Sequence, residues 1–343
     1  MLDPPANILI IRLSSIGDVL LSSPFVRQLR KHFSHARIDY LIKDQFKDLM
    51  RFNPHINNLY MLNVAKSGHM QSMKKQLKQN TYQIVFDLQN NLRSNYLKKG
   101  IEADSVWSIK KNKLQQLLLV LLKINCYREI QPIPKRYLHV AEKYNIADDN
   151  LGLEIFWQNE QDGEATRIAK EAGLPPAAQY VCLAPGAAHY TKRWPIEYFV
   201  TLSEKINQSG LKVVILGGED DVKWGKILKN EEKIIDLTGR LSLLESAVIL
   251  SRALGVVTND SGLMHMATAV NSPVVALFGS TVREFGFFPF RGESTVLENN
   301  NLSCRPCTHI GRRSCPKKHF KCMMEISEDD VFTALTRLIS RKS

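Results

Sequence analysis

One alternation constrains the fold more than any other feature. Short aliphatic runs, each closed by a glycine or small polar turn, are followed by stretches with apolar residues at helical spacing, and the unit recurs along the 343 residues. The first instance is Asn7-Ile8-Leu9-Ile10-Ile11-Arg12-Leu13, then the turn Ser14-Ser15-Ile16-Gly17-Asp18, then Val19, Leu20, Phe25, Val26 and Leu29 at helix period over 19–33. A nearly unbroken apolar run predicts a strand covered on both faces. Strands separated by helices predict parallel pairing, hence an α/β fold. Further strand runs fall at 38–42 and 84–88, then at 180–184, 213–216, 234–237, 256–258 and 274–278. Helices are expected at 196–208, 221–230, 243–253 and 262–269, and a capped amphipathic helix at 327–341.

A chain of this length predicts two domains. The polar stretch 160–176, with Gly173 and the pair Pro175-Pro176, is the expected linker. The expected division is 1–160, 161–326, and a tail 327–343 that packs back toward the first domain. Ligands of open parallel sheets bind outside the carboxyl ends of the strands, so both halves are expected to present loops to a central cleft.

Charge is distributed unevenly. Residues 1–150 hold 23 lysines and arginines against 12 acids, whereas 151–343 hold 23 against 22, so nearly all of the net +12 lies in the first half. Such asymmetry points to an anionic partner: nucleic acid, a membrane surface or an acidic substrate. The longest apolar run, 117–122, is far below the ~20 residues of a membrane span. The first apolar run contains Arg12 and does not resemble a secretory signal, so a cytoplasmic protein is expected. No GxxxxGK[ST] occurs, no GxGxxG follows the first strand, and there is no Asp-x-Asp. These absences argue against a P-loop NTPase, a nicotinamide dehydrogenase and the paired-carboxylate metal-dependent sugar transferases.

Four strand-to-helix loops could carry chemistry. In Ser14–Asp18, Gly17 permits close backbone approach, and Asp18 is either a helix cap or a general base at the mouth of the cleft. In 184–195, Gly186 offers a turn rich in backbone N–H groups and Lys192 a compact charge, which suits a phosphate better than a merely solvated basic loop, because Trp194-Pro195 should pin the segment. In Leu216-Gly217-Gly218-Glu219-Asp220-Asp221, an acid beside a glycine turn suits ribose hydroxyls, although taken alone the loop favours ordinary turn chemistry and an N-cap. In 258–265, Ser261 and Gly262 put N–H groups at a helix start, a second anion cradle, and His265 lies about one turn inside, where a lone histidine is more often structural. Gly279-Ser280-Thr281 adds another turn compatible with phosphate.

Together these loops resemble glycosyltransferase family nine, the ADP-heptose:lipopolysaccharide heptosyltransferases. The resemblance is carried by ILIIRLSSIGDVLLSSP, PGAAHYTKRWP, LGGEDD and DLTGRLSLLESAVILSRALGVVTNDSGLMHMATAVNSPVVALFGST, in family order over most of the chain. It implies a GT-B fold, two Rossmann-like domains with parallel sheets, the first binding acceptor and the second the nucleotide sugar. It implies inverting transfer with no cofactor required for catalysis. Asp18 matches the catalytic aspartate and Lys192 the lysine that stabilises the diphosphate. Glu219 falls near the ribose-binding acid, and Asp260, Ser261, Gly262 and His265 match the loop around sugar and phosphates. The family often places hydroxyl residues shortly before the lysine. Here Ala187 and Ala188 stand there, and Thr191 is the nearest candidate.

The implied partners are ADP-heptose, an anionic lipopolysaccharide precursor (Kdo–lipid A or heptosyl-Kdo–lipid A) and the cytoplasmic surface of the inner membrane, with no nucleic acid. The alternatives are a GT-B transferase or epimerase using another nucleotide sugar, and a basic nucleic-acid-binding protein. Residues 93–143 hold 11 basic and 4 acidic residues around the apolar run 117–122, a pattern that suits a helix resting on a membrane or a core helix with a solvated face. Finally, Cys304, Cys307, Cys315 and Cys322 are spaced C-x2-C-x7-C-x6-C. They are either ligands of a structural zinc or reduced thiols packed in a loop. The second pair lacks the CxxC spacing of a zinc ribbon.

Overall fold

The computed structural model describes residues 5–229 and 234–342. Two compact units account for them, and each is built on one parallel sheet.

The first unit comprises residues up to 111 together with 133–156. Its strands are β1 (Asn7–Ile11), β2 (Arg37–Lys43), β3 (Asn58–Leu62), β4 (Thr81–Asp87) and β5 (Glu102–Ser108), in the order β3-β2-β1-β4-β5. Every pair is parallel, with Ile8 beside Ile38 on one side and Ile84 on the other. Both faces are covered, as the unbroken apolar run of β1 requires. Leu9, Ile11, Leu41, Val85 and Tyr82 pack together in one layer. Phe25 meets Phe86 edge-to-face at 5.2 Å. The helix expected over 19–33 is divided into Ile16–Leu20 and Ser23–His32, with Pro24 opening the second piece. A proline is tolerated in a first turn and not in a helix interior.

The second unit comprises 112–132 and the chain from 157 onward. Its strands are β6 (Tyr180–Ala184), β7 (Lys212–Ile215), β8 (Ile234–Asp236), β9 (Gly255–Asn259), β10 (Val274–Phe278) and β11 (Ser294–Glu298), in the order β11-β10-β9-β6-β7-β8. Its core joins Val181, Leu183, Val257, Val275 and Leu277 to Phe199 and Trp194. The expected helix 221–230 is observed as Val222–Leu228, and Asn230 lies outside the described residues.

Three expectations about organisation are corrected. Residues 160–176 are not a linker. Asn159–Glu171 is a helix that buries Ala165, Ile168 and Ala169, an i, i+3, i+4 stripe hidden in a polar segment. The C-terminal helix Glu328–Lys342 packs within the second unit, where Val331, Leu335 and Leu338 join the core around β9 and β10. The segment 112–132, expected in the first domain, groups with the second. Lys123 Nζ donates to the Pro306 carbonyl at 2.7 Å and Asn125 Nδ2 to Glu284 Oε1 at 2.8 Å. No helix among the described residues is long and apolar enough to cross a membrane.

Candidate active site

In the first unit, β1 delivers Arg12 and the following turn delivers Asp18, in the first turn of the helix Ile16–Leu20. Arg12 Nη2 pairs with Asp18 Oδ1. The other carboxylate oxygen, Oδ2, accepts from the Ser15 N–H and hydroxyl, each at 3.1 Å. Asp18 therefore does act in capping, and its side chain also stays 22% exposed beside a buried cation. Burial opposes the Arg12 charge, yet neighbouring Asp18 raises its pKa above the ordinary value. Arg12 Nη1 donates to the Leu88 carbonyl at 2.6 Å, and its guanidinium lies 5.6 Å from the Tyr137 ring centre. Gln89 Oε1 accepts from the N–H groups of Leu13 and Ser14 at 3.0 and 3.2 Å, which holds the turn from the end of β4. Sequence reasoning missed Arg12 and Gln89, because an arginine closing an apolar strand carries no local signal of its partner.

In the second unit, the carboxyl ends of β6, β9 and β10 bring three loops together. Lys192 Nζ pairs with Asp260 Oδ2 at 2.7 Å, and the same oxygen accepts from Thr281 Oγ1 at 2.7 Å. Asp260 follows β9, and Ser261 precedes the helix Gly262–Ala269. His265 is buried in the second turn of that helix. Asn259 ties the loops from behind: its Nδ2 donates to the Pro185 carbonyl at 2.7 Å and its Oδ1 accepts from the Trp194 N–H at 3.0 Å. Trp194 is buried and its Nε1 donates to the Ile326 carbonyl at 2.9 Å, so the basic loop is pinned as expected.

Thr191 joins two loops. It is 1% exposed, and its hydroxyl donates to Ser280 Oγ at 3.0 Å while accepting from the Arg312 N–H at 2.8 Å. The group that stood closest to Lys192 in sequence is committed to holding two loops.

Gly186 lies close against Asp221. A Cβ there would come within 2.3 Å of the Asp221 carboxylate, and one at Gly217 within 2.5 Å of Asp221 Cβ. Asp221 is thus the acid that fits the glycine loops together, and its burial raises its pKa. Glu219 is exposed, and its carboxylate makes no hydrogen bond with a described residue, so it is open to a ligand hydroxyl.

The four clustered cysteines are free thiols. Cys304 Sγ lies 3.8 Å from His319 Nε2, while Cys315 and Cys322 pack against the apolar core. Burial pushes the Cys322 thiol up to about 12 and also raises Cys307. No three His, Cys, Asp or Glu side chains among the described residues are arranged to hold a metal. The zinc expectation finds no support. The loop is rooted instead by Arg305, which donates to the carbonyls of Gly279 at 2.6 Å and Thr281 at 2.9 Å and pairs with Glu298 at 2.9 Å.

The residues 70–318 match the family model described as glycosyltransferase family 9 (heptosyltransferase). Lipooligosaccharide heptosyltransferase 2 of Haemophilus influenzae is 27% identical over 85% of this chain and 88% of its own length. Among solved structures, a family 9 glycosyl transferase from Veillonella parvula is 26% identical with a TM-score of 0.84, covering 99% of both chains. The ADP-heptose lps heptosyltransferase II of E. coli, 21% identical, covers 98% of this chain and 99% of its own at a TM-score of 0.75 and shares the fold. With two parallel-sheet α/β units, loops at the carboxyl ends of their strands and a family match over most of its length, this chain belongs to glycosyltransferase family 9, the heptosyltransferases.

Proposed function

We propose that this glycosyltransferase moves heptose from ADP-heptose to the inner core of a lipopolysaccharide precursor, Kdo–lipid A or heptosyl-Kdo–lipid A. The observations that carry the reading are two held charges, each in a loop after a strand of its own parallel sheet: the Asp18 carboxylate between Arg12 and Ser15, and the Lys192 ammonium on Asp260. The relatives' printed activities supply the donor and the pathway.

In this mechanism Asp18 takes the proton of the acceptor hydroxyl as its oxygen bonds to the anomeric carbon. The bond from that carbon to the diphosphate oxygen breaks with its electron pair, and configuration inverts. Charge grows on the leaving ADP, where Lys192 and the N–H groups of Ser261 and Gly262 stand ready. Such fixed donors need no reorganisation at the moment of reaction. Thr281 and Asp260 keep the Lys192 ammonium in place. Glu219 receives ribose hydroxyls, Gly17 and Gly186 allow close approach to the ligands, and His265 lines the sugar loop. No metal step is invoked.

The acceptor is anchored in a lipid leaflet, and the helical segment 113–122 suits a peripheral role at the cytoplasmic face of the inner membrane. Leu114, Leu117, Leu121 and Leu122 are 53–66% exposed there, with Lys113 and Lys123 at its ends. Apolar side chains flanked by lysines favour the interface of an anionic bilayer.

The test is a transfer assay with ADP-heptose and the two acceptors. Asp18→Asn should lower turnover by about 10²–10⁴ and leave ADP binding intact. Near-normal turnover in that variant removes Asp18 as the base. Transfer from another nucleotide sugar in preference to ADP-heptose removes the donor assignment.

A further inference from the structure

We propose that Arg313, carried by the cysteine-rich loop, is a second cation for the donor diphosphate, beside Lys192. This deepens the proposed function and rests on Lys192 meeting that diphosphate.

The loop runs alongside the segment that carries Lys192. The Thr191 N–H donates to the Arg312 carbonyl at 3.2 Å, and the Arg312 N–H donates to Thr191 Oγ1 at 2.8 Å. Arg313 and Lys192 are therefore the next residues along two segments stitched to each other. One residue back, Gly311 lies so near His189 that a Cβ would stand 2.4 Å from the histidine's own Cβ, and its φ of +117° also favours glycine. The root of the loop is equally fixed. Arg305, with a side chain 4% exposed, holds the carbonyls of Gly279 and Thr281, in the turn whose Thr281 hydroxyl reaches Asp260. These contacts hold the backbone of the loop on both sides of the stretch that leads to Arg313.

Charge gives the second argument. His189 is held below its ordinary pKa by burial and then by Lys192, Arg193 and Arg313, which places all four groups in one positive field. Lys192 is paired with Asp260. Arg193 donates to the Ala187 carbonyl at 2.7 Å and lies over Trp224. Arg313 is exposed and forms no hydrogen bond or ion pair with any described residue. A cation among cations, with no protein anion to answer it, fits a doubly anionic ligand, and guanidinium presents two parallel donors to a phosphate.

Calorimetric titration with ADP tests this. Arg313→Ala should weaken ADP binding about tenfold, the worth of one charge-assisted contact, and Arg313→Lys should recover part of it. AMP, which lacks the second phosphate, should lose less. NMR titration of Arg313→Ala should show the His189 pKa rising. The melting temperature should hold, because Arg313 has no structural partner. Wild-type ADP affinity in Arg313→Ala overturns the proposal, and so does a loss of affinity that comes only with a lowered melting temperature. Lys192→Ala is titrated alongside. If that variant also binds ADP normally, the Lys192 reading fails; if only Arg313→Ala does, this inference alone fails.

Discussion

Replacing Arg12 by Met probes the held carboxylate most directly. The change removes the ion pair to Asp18 and the 2.6 Å bond to the Leu88 carbonyl, while methionine keeps much of the apolar stem. Each charge-assisted bond is worth about 1.5–3 kcal/mol. Asp18, 22% exposed, recovers part of its loss in water, whereas Leu88 loses its buried donor outright. The expected destabilisation is about 2–4 kcal/mol, below the full cost of breaking a fully buried pair. Urea unfolding measures it, and a cycle with Asp18→Asn isolates the shared part. If the pair acts as a unit, the double variant should be at least about 0.5–1 kcal/mol more stable than additivity predicts. Turnover of Arg12→Met should fall about 10–100-fold with ADP affinity unchanged, since Asp18 loses its fixed aim. Additive stabilities together with wild-type turnover would refute the reasoning.

Gly186→Ala should cost about 1–3 kcal/mol and raise the donor KM, because the new methyl meets the Asp221 carboxylate, and Asp221→Gly added to it should restore much of the loss. Leu117→Ser with Leu121→Ser should reduce sedimentation with vesicles of anionic phospholipid and leave ADP affinity alone; unchanged sedimentation removes the membrane role of the segment. The depressed His189 pKa has a definite sign. The unfolded chain takes up its proton near pH 6.5 and the folded chain only at lower pH, so this residue's contribution to stability is present above about pH 6.5 and is lost as pH falls through the folded value. His189→Gln should flatten the stability profile of the folded protein below pH 6.5, read by thermal melts from pH 7 to 5.

The central strands were legible because burial on both faces demands unbroken apolar runs, and β1, β4, β6, β7, β9 and β10 all have them. The missed strands β3, β5 and β11 are edges of their sheets, half exposed and mixed in composition, so no run marks them. The candidate site divides in the same way. Asp18, Lys192 and Asp260 stand in turns whose glycines and position after a strand are visible in one dimension. The partnerships are not: Arg12 with Asp18, then Thr281 with Asp260 and the ties of Asn259 and Arg305 to neighbouring loops, which join segments brought near by the sheet.

The sequence by itself determined the class of fold, the chain positions of the chemical loops and the residue types they offer, because apolar periodicity and turn chemistry are local properties. Only the tertiary structure decided which side chains pair. It made Asp221 the acid packed against the glycine loops, bonded Thr191 to Ser280 and Arg312 across two loops, and gave the segment 112–132 to the second unit. It also brought the cysteine-rich loop, remote in sequence, alongside Lys192. Parallel sheets join strands far apart in the chain, so the neighbours of any loop at a strand end are set by strand order, which no local pattern encodes.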